Sequence, residues 1–148
     1  MKRFYLSLLL AISSLLPTFS RNSSTTMTSI INKSSELVKF VENDMDMEIV
    51  RLECDILRTT KTTTRILSKG WTYAIIAYGD YRFKDIDIKV YRNVQGSWQL
   101  VAKDNDSSAS SVVSIEPQSD GEYLIEISAY SFESGYDVGH YGLIIAHE

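Results

Sequence analysis

The chain has 148 residues, of which 44% are apolar and 23% charged, and a formal charge of −4. That length and balance suit one globular domain with its own hydrophobic core, and exclude a disordered or membrane-embedded chain. Without a basic run, an acidic chain is also excluded as a nucleic-acid binder or a ligand of anionic membranes, because both need clustered Lys and Arg.

Residues 1–20 (MKRFYLSLLLAISSLLPTFS) carry Lys2 and Arg3, an apolar run from Leu6 to Leu16, and small residues around Ser20. This order predicts a cleaved secretory signal and a secreted or periplasmic protein. The run falls short of the ~20 residues a membrane span needs, so no span is expected after its removal. Loss of Lys2 and Arg3 takes the charge from −4 to −6. Residues 21–29 are polar and low in complexity, and are expected to form a disordered leader.

Over 30–47, Leu37, Val38, Val41 and Met45 recur at spacings of three and four. The spacing predicts one short amphipathic helix, capped by Ser34 or Ser35 with Glu36 in its first turn. It is expected to pack across an edge or open end of a sheet.

From Glu48 the period drops to two. Val50, Leu52, Cys54 and Ile56 alternate with Arg51, Glu53 and Asp55, and the apolar set, Cys54 included, is expected to face the core. Cys54 is the only cysteine, which excludes an internal disulfide and a paired-cysteine metal or redox motif. Further strands are predicted over 62–68, 71–78, 86–91, 98–102, 112–115, 123–130 and 141–145, separated by turn chemistry at Lys69-Gly70, Gly79-Asp80, Gln95-Gly96-Ser97, Pro117 and Ser119-Asp120-Gly121. Trp71–Tyr78 is apolar on both faces, which predicts a central strand covered on each side. With the segment that follows it, it reads as a hairpin over 70–91 at the centre of the fold. About eight short strands with such turns make an all-β protein, an antiparallel β-sandwich or jelly roll over 48–148, preceded by the helix.

Several of these segments carry a family pattern. Gly70-Trp71-Thr72-Tyr73, Gly79-Asp80, Asp85-Ile86-Asp87-Ile88-Lys89-Val90-Tyr91, Val101-Ala102-Lys103-Asp104-Asn105-Asp106, Gly121-Glu122-Tyr123-Leu124-Ile125-Glu126-Ile127 and Gly139-His140-Tyr141-Gly142-Leu143 together resemble the bacterial pre-peptidase C-terminal domain family. The resemblance spans roughly 60–146 and lies in strand and turn residues. It implies an exported, jelly-roll-like sandwich that is not itself an enzyme, and that assists secretion, folding or attachment beside a hydrolase. No peptidase precedes the strands in this sequence, so a free-standing export or surface role is expected. Some relatives bind calcium and extracellular matrix.

Two residue sets are candidates for function. Asp80, Asp85, Asp87, Asp104 and Asp106 could converge on a calcium ion if the loops after Tyr78 and Ala102 share one end of the sandwich, since calcium collects carboxylate and carbonyl oxygens. Each Asp could instead cap a turn. Tyr81, Phe83, Phe132 and Tyr136 lie in or beside loops, where aromatics stack on sugars or grip a protein. Neither His140 nor His147 has a Ser–His or Cys–His signature, so no catalytic residue is assigned. The reading is a secreted, non-catalytic accessory or binding module for an extracellular or periplasmic protein or glycan, with no cofactor assigned and calcium as the one candidate. The alternatives are a small hydrolase using the aspartates and a structural part of a cell-surface assembly.

Overall fold

The computed structural model describes residues 27–148; the expected signal and most of the leader lie outside this range. One helix, α1 (Thr28–Lys39), runs into a wider π-helical turn, Phe40–Asp44. Eight strands follow: β1 (Glu48–Leu57), β2 (Thr60–Leu67), β3 (Tyr73–Gly79), β4 (Phe83–Val94), β5 (Ser97–Asp104), β6 (Ser110–Ile115), β7 (Gly121–Phe132) and β8 (Gly139–His147). No helix among the described residues is long and apolar enough to cross a membrane.

The strands form two four-stranded sheets, ordered β1-β8-β3-β6 and β2-β7-β4-β5, and every pairing is antiparallel. This is the order of a jelly roll, the fold that the resemblance implies. Among the described strands, only β4 and β5 are consecutive in sequence and also paired. Gln95 and Gly96 join them with φ of 53° and 85°, the left-handed pair that a two-residue hairpin of native twist requires. The segment 70–91 is therefore not a hairpin. β3 and β4 occupy inner positions of opposite sheets, and residues 80–82 carry the chain from one sheet to the other.

Between the sheets lies the main core, which includes Ile75, Ala77, Phe83, Ile86, Ile88, Val90, Ile125, Ile127, Leu143 and Ile145. A second apolar layer covers the outer face of the first sheet, where Ile30, Val41 and Met47 meet Ala74, Ile76, Tyr78, Ile144 and Ala146. β3 is thus buried on both faces, as its composition predicts, but by a helix on one side. α1 lies on a sheet face rather than at an edge. It also starts earlier than its capping signals predict: Thr28 and Ser29, assigned to the leader, are helical, and Ser34 stands inside the helix. The Ser34 hydroxyl is buried there, donating to the Ile30 carbonyl (2.7 Å) and accepting from the Tyr78 hydroxyl (2.9 Å).

β1 departs most from its expected facing. A bulge between Ile49 and Arg51 inserts Val50 without a partner, and one extra residue reverses which side chains point inward. Val50 packs on the main core, but Leu52 and Ile56 stand on the outer face at 48% and 52% exposure. Cys54 lies on that face too, only partly covered, with its sulfur 3.3 Å from the Ser34 hydroxyl. Arg51, Glu53 and Asp55 turn instead toward β2, where they line a cleft with Lys61 and Thr63.

Candidate functional site: the loop-bearing end

In this topology, the β3–β4, β5–β6 and β7–β8 connections gather at one end of the sandwich. Backbone bonds lace them together: Gly79 N–H to the Ala109 carbonyl (2.8 Å), Ile86 to Ser108 (2.8 Å), Asp80 to His140 (3.0 Å) and Glu133 to Arg82 (2.9 Å). The loops after Tyr78 and Ala102 do share an end, as the calcium reading requires.

The aspartates, however, divide. Asp80 is buried and fully engaged. Its carboxylate accepts the backbone N–H of Arg82 (3.0 Å) and of His140 (3.0 Å), and both of its oxygens accept from Arg82 Nε. Arg82 Nη2 also reaches Asp80 and lies 2.6 Å from Nδ1 of His140. Burial alone raises the Asp80 carboxyl; the bonds from the Arg82 side chain and from the two backbone N–H groups outweigh it, leaving the group below the usual carboxylate range. Asp80 thus serves to tie the β3–β4 loop to β8.

Asp104 works as a turn residue. It accepts the N–H of Asp106 (3.1 Å) and of Val112 (2.7 Å), and despite the cost of burial these bonds hold it low. The Asp106 contribution to this turn is its backbone N–H.

Asp85 and Asp87 do come together, in a shallow pocket of about 260 Å³ shared with Asn105, Ser107 and Tyr130. The buried Asp85 accepts the N–H of Ser108 (3.2 Å). Asp87 has one buried oxygen, Oδ1, with no hydrogen-bond partner. Burial pushes its carboxyl up, and the charges of Asp85 and Asp104 add to that while Lys89 opposes it. Among the described residues, no three His, Cys, Asp or Glu side chains are arranged to hold a metal ion.

The four aromatics also divide. Phe83 is a core residue, 4.8 Å from the partly buried Phe132 ring and seated against Gly79 and Gly139. A methyl on Gly139 would lie 2.2 Å from the Phe83 ring, so these glycines make room for it. Tyr81 and Tyr136 are exposed at 49% and 41% and meet edge to face at 5.9 Å, with the Arg82 guanidinium 5.7 Å from the Tyr81 ring. Arg82 and His140 stand at the centre of this end of the sandwich, although neither is a candidate site residue by sequence. A carboxylate two residues before an arginine at a strand-ending turn is the local signal for Arg82, since such a carboxylate bonds the backbone just ahead. Nothing local marks His140, whose partners lie far away in sequence.

No protein-family model and no curated protein sequence matches the chain. Among solved structures, it is similar to the pre-peptidase C-terminal domain of a collagenase from Bacillus anthracis, at 14% identity and TM-score 0.49, covering 64% of this chain and 87% of that one. It is similar to a mitogen from Yersinia pseudotuberculosis at 13% identity and TM-score 0.47, covering 67% and 85%. A third likeness is PliG of Aeromonas hydrophila, a periplasmic inhibitor of g-type lysozyme, at 14% identity and TM-score 0.43, covering 70% and 90%. The first of these belongs to the family that the motifs of this sequence resemble.

Proposed function

We propose that the protein is an exported, non-catalytic accessory module of the pre-peptidase C-terminal type, which attaches to an extracellular or periplasmic protein through its loop-bearing end. One observation carries this reading: two exposed tyrosines, Tyr81 and Tyr136, stand on a base fixed by the buried Asp80–Arg82–His140 contacts. Rigid tyrosines supply contact area at low entropic cost, which is what a protein-binding patch needs. A photoreactive amino acid at position 81, activated in producing cells, should crosslink one partner identifiable by mass spectrometry, and Tyr136→Ala should abolish the adduct. An undiminished adduct in that variant sinks the assignment. For export, N-terminal sequencing of the protein outside the cytoplasm should find a chain beginning near Arg21.

A second reading, calcium binding, is favoured by the partnerless Oδ1 of Asp87 beside Asp85. The two carboxylates would hold the ion, with the other oxygens of its shell coming from the 105–107 loop and water. Millimolar calcium should then raise the melting temperature of chelator-treated protein, and Asp87→Asn should remove the increase. An unchanged melting temperature in the wild type excludes it.

A further inference from the structure

The sandwich is open along the flank where β1 and β2 face each other across the two sheets. A cleft of about 200 Å³ lies there, lined by Arg51, Glu53, Asp55, Lys61, Thr63 and Tyr141. These are inward-facing positions, which a sandwich ordinarily fills with apolar side chains.

We propose that this cleft binds a neutral, hydroxyl-rich ligand: a sugar unit of a glycan. Three features point to it. First, the polar groups are held in place before any ligand arrives. The hydroxyl of Tyr141, itself 1% exposed, donates to Glu53 Oε1 (2.8 Å), Arg51 Nε donates to Glu53 Oε2 (3.0 Å), and Arg51 Nη1 donates to the Thr63 hydroxyl (2.9 Å). Second, the charges are already paired, Arg51 with Glu53 and Lys61 with Asp55. A charged ligand must break one of these pairs to enter, whereas a neutral hydroxyl need not. Third, hydrogen-bonding capacity remains. Arg51 has N–H groups beyond those given to Glu53 and Thr63, Lys61 has ammonium hydrogens beyond the one given to Asp55, and the carboxylates keep lone pairs. Donors and acceptors therefore both line the walls, which suits sugar hydroxyls that both donate and accept.

Inward-facing charges also deter edge-to-edge pairing of exposed strands, and β1 and β2 are both edge strands. That role needs charge alone and predicts no saccharide binding. The site is also independent of the tyrosine patch, so either can fail without the other.

The test uses amide NMR of the full chain with neutral fragments of α- and β-glucans, chitin and galactan at concentrations up to ~10 mM, which detects millimolar affinity. At least one fragment should shift the amides of Arg51, Glu53, Thr62 and Thr63 and saturate. Thr63→Val and Lys61→Met, which remove polar groups without deepening the cleft, should each weaken that binding tenfold or more while keeping the wild-type spectrum elsewhere. No shift with any fragment overturns the proposal. So does binding that both variants retain, or tighter binding of a charged probe such as glutamate or spermidine at the same amides.

Discussion

The ring of Tyr78 sits over Gly142, its Cζ only 2.2 Å from where a methyl on that glycine would stand. The two residues are paired in register on β3 and β8, with Cys54 opposite Gly142 on β1. The missing side chain gives the fully buried ring its seat, and the seat lets the hydroxyl reach Ser34 on α1. Burial, against the opposing Ser34 bond, pushes the Tyr78 hydroxyl up to about 12. Gly142→Ala should destabilise the protein by about 1–3 kcal/mol in urea unfolding, because a buried ring between sheet and helix has nowhere to move. In a Tyr78→Val background that cost should largely disappear, as expected for residues in direct contact.

Removing the guanidinium that Asp80 holds should cost more. Arg82→Met leaves a buried carboxylate without its cation, a loss of about 3–5 kcal/mol at pH 7. The folded pKa of Asp80 is depressed, so its stabilising contribution is present above the unfolded value of about 3.9 and is lost as pH falls through the lower folded value. The gap between variant and wild type should therefore narrow as the pH drops below about 4. A gap that stays constant from pH 7 to pH 3 contradicts the ionic coupling.

Asp87 should behave in the opposite sense. Its folded pKa is raised, so the ionised form carries a penalty above the folded value that is relieved as pH falls toward the unfolded one. Asp87→Asn removes the charge and supplies an amide that can donate to Asp85. A gain of about 0.5–1.5 kcal/mol, the net value of one hydrogen bond, is expected at pH 7 without calcium, fading toward pH 4. Destabilisation at pH 7 without calcium contradicts this account.

The helix is bound to the sheet through an apolar layer in which Ile30 is central. Ile30 is completely buried beneath it, against the β3 and β8 layer. Ile30→Ala should cost about 2–5 kcal/mol through lost burial and the cavity left behind. Hydrogen exchange should quicken in α1 and on the covered strands before it does in β4 and β7, which lie in the other sheet.

The eight strands and the helix were legible because each announces itself locally, by a period of two or four and by punctuation such as Gln95-Gly96. So was the double-sided burial of β3, because composition alone separates a strand covered on both faces from one with a wet face. The facing of β1 was not legible: a single-residue bulge at Val50 reverses the alternation, and it depends on how β1 meets β8. The supposed hairpin over 70–91 failed for a related reason, since sequence neighbours in a jelly roll mostly belong to different sheets.

Residue chemistry by itself determined that this chain makes an antiparallel sandwich with one amphipathic helix, and which aspartates and aromatics are candidates for a site. Only the tertiary structure decided which of them act together. Asp80 meets His140 across sixty positions of chain, Tyr81 meets Tyr136, Arg51 meets Thr63 across the open flank, and Glu53 meets Tyr141 on the neighbouring strand of its own sheet. Such pairings depend on strand order and register, which long-range packing selects, and no local pattern of residues encodes them.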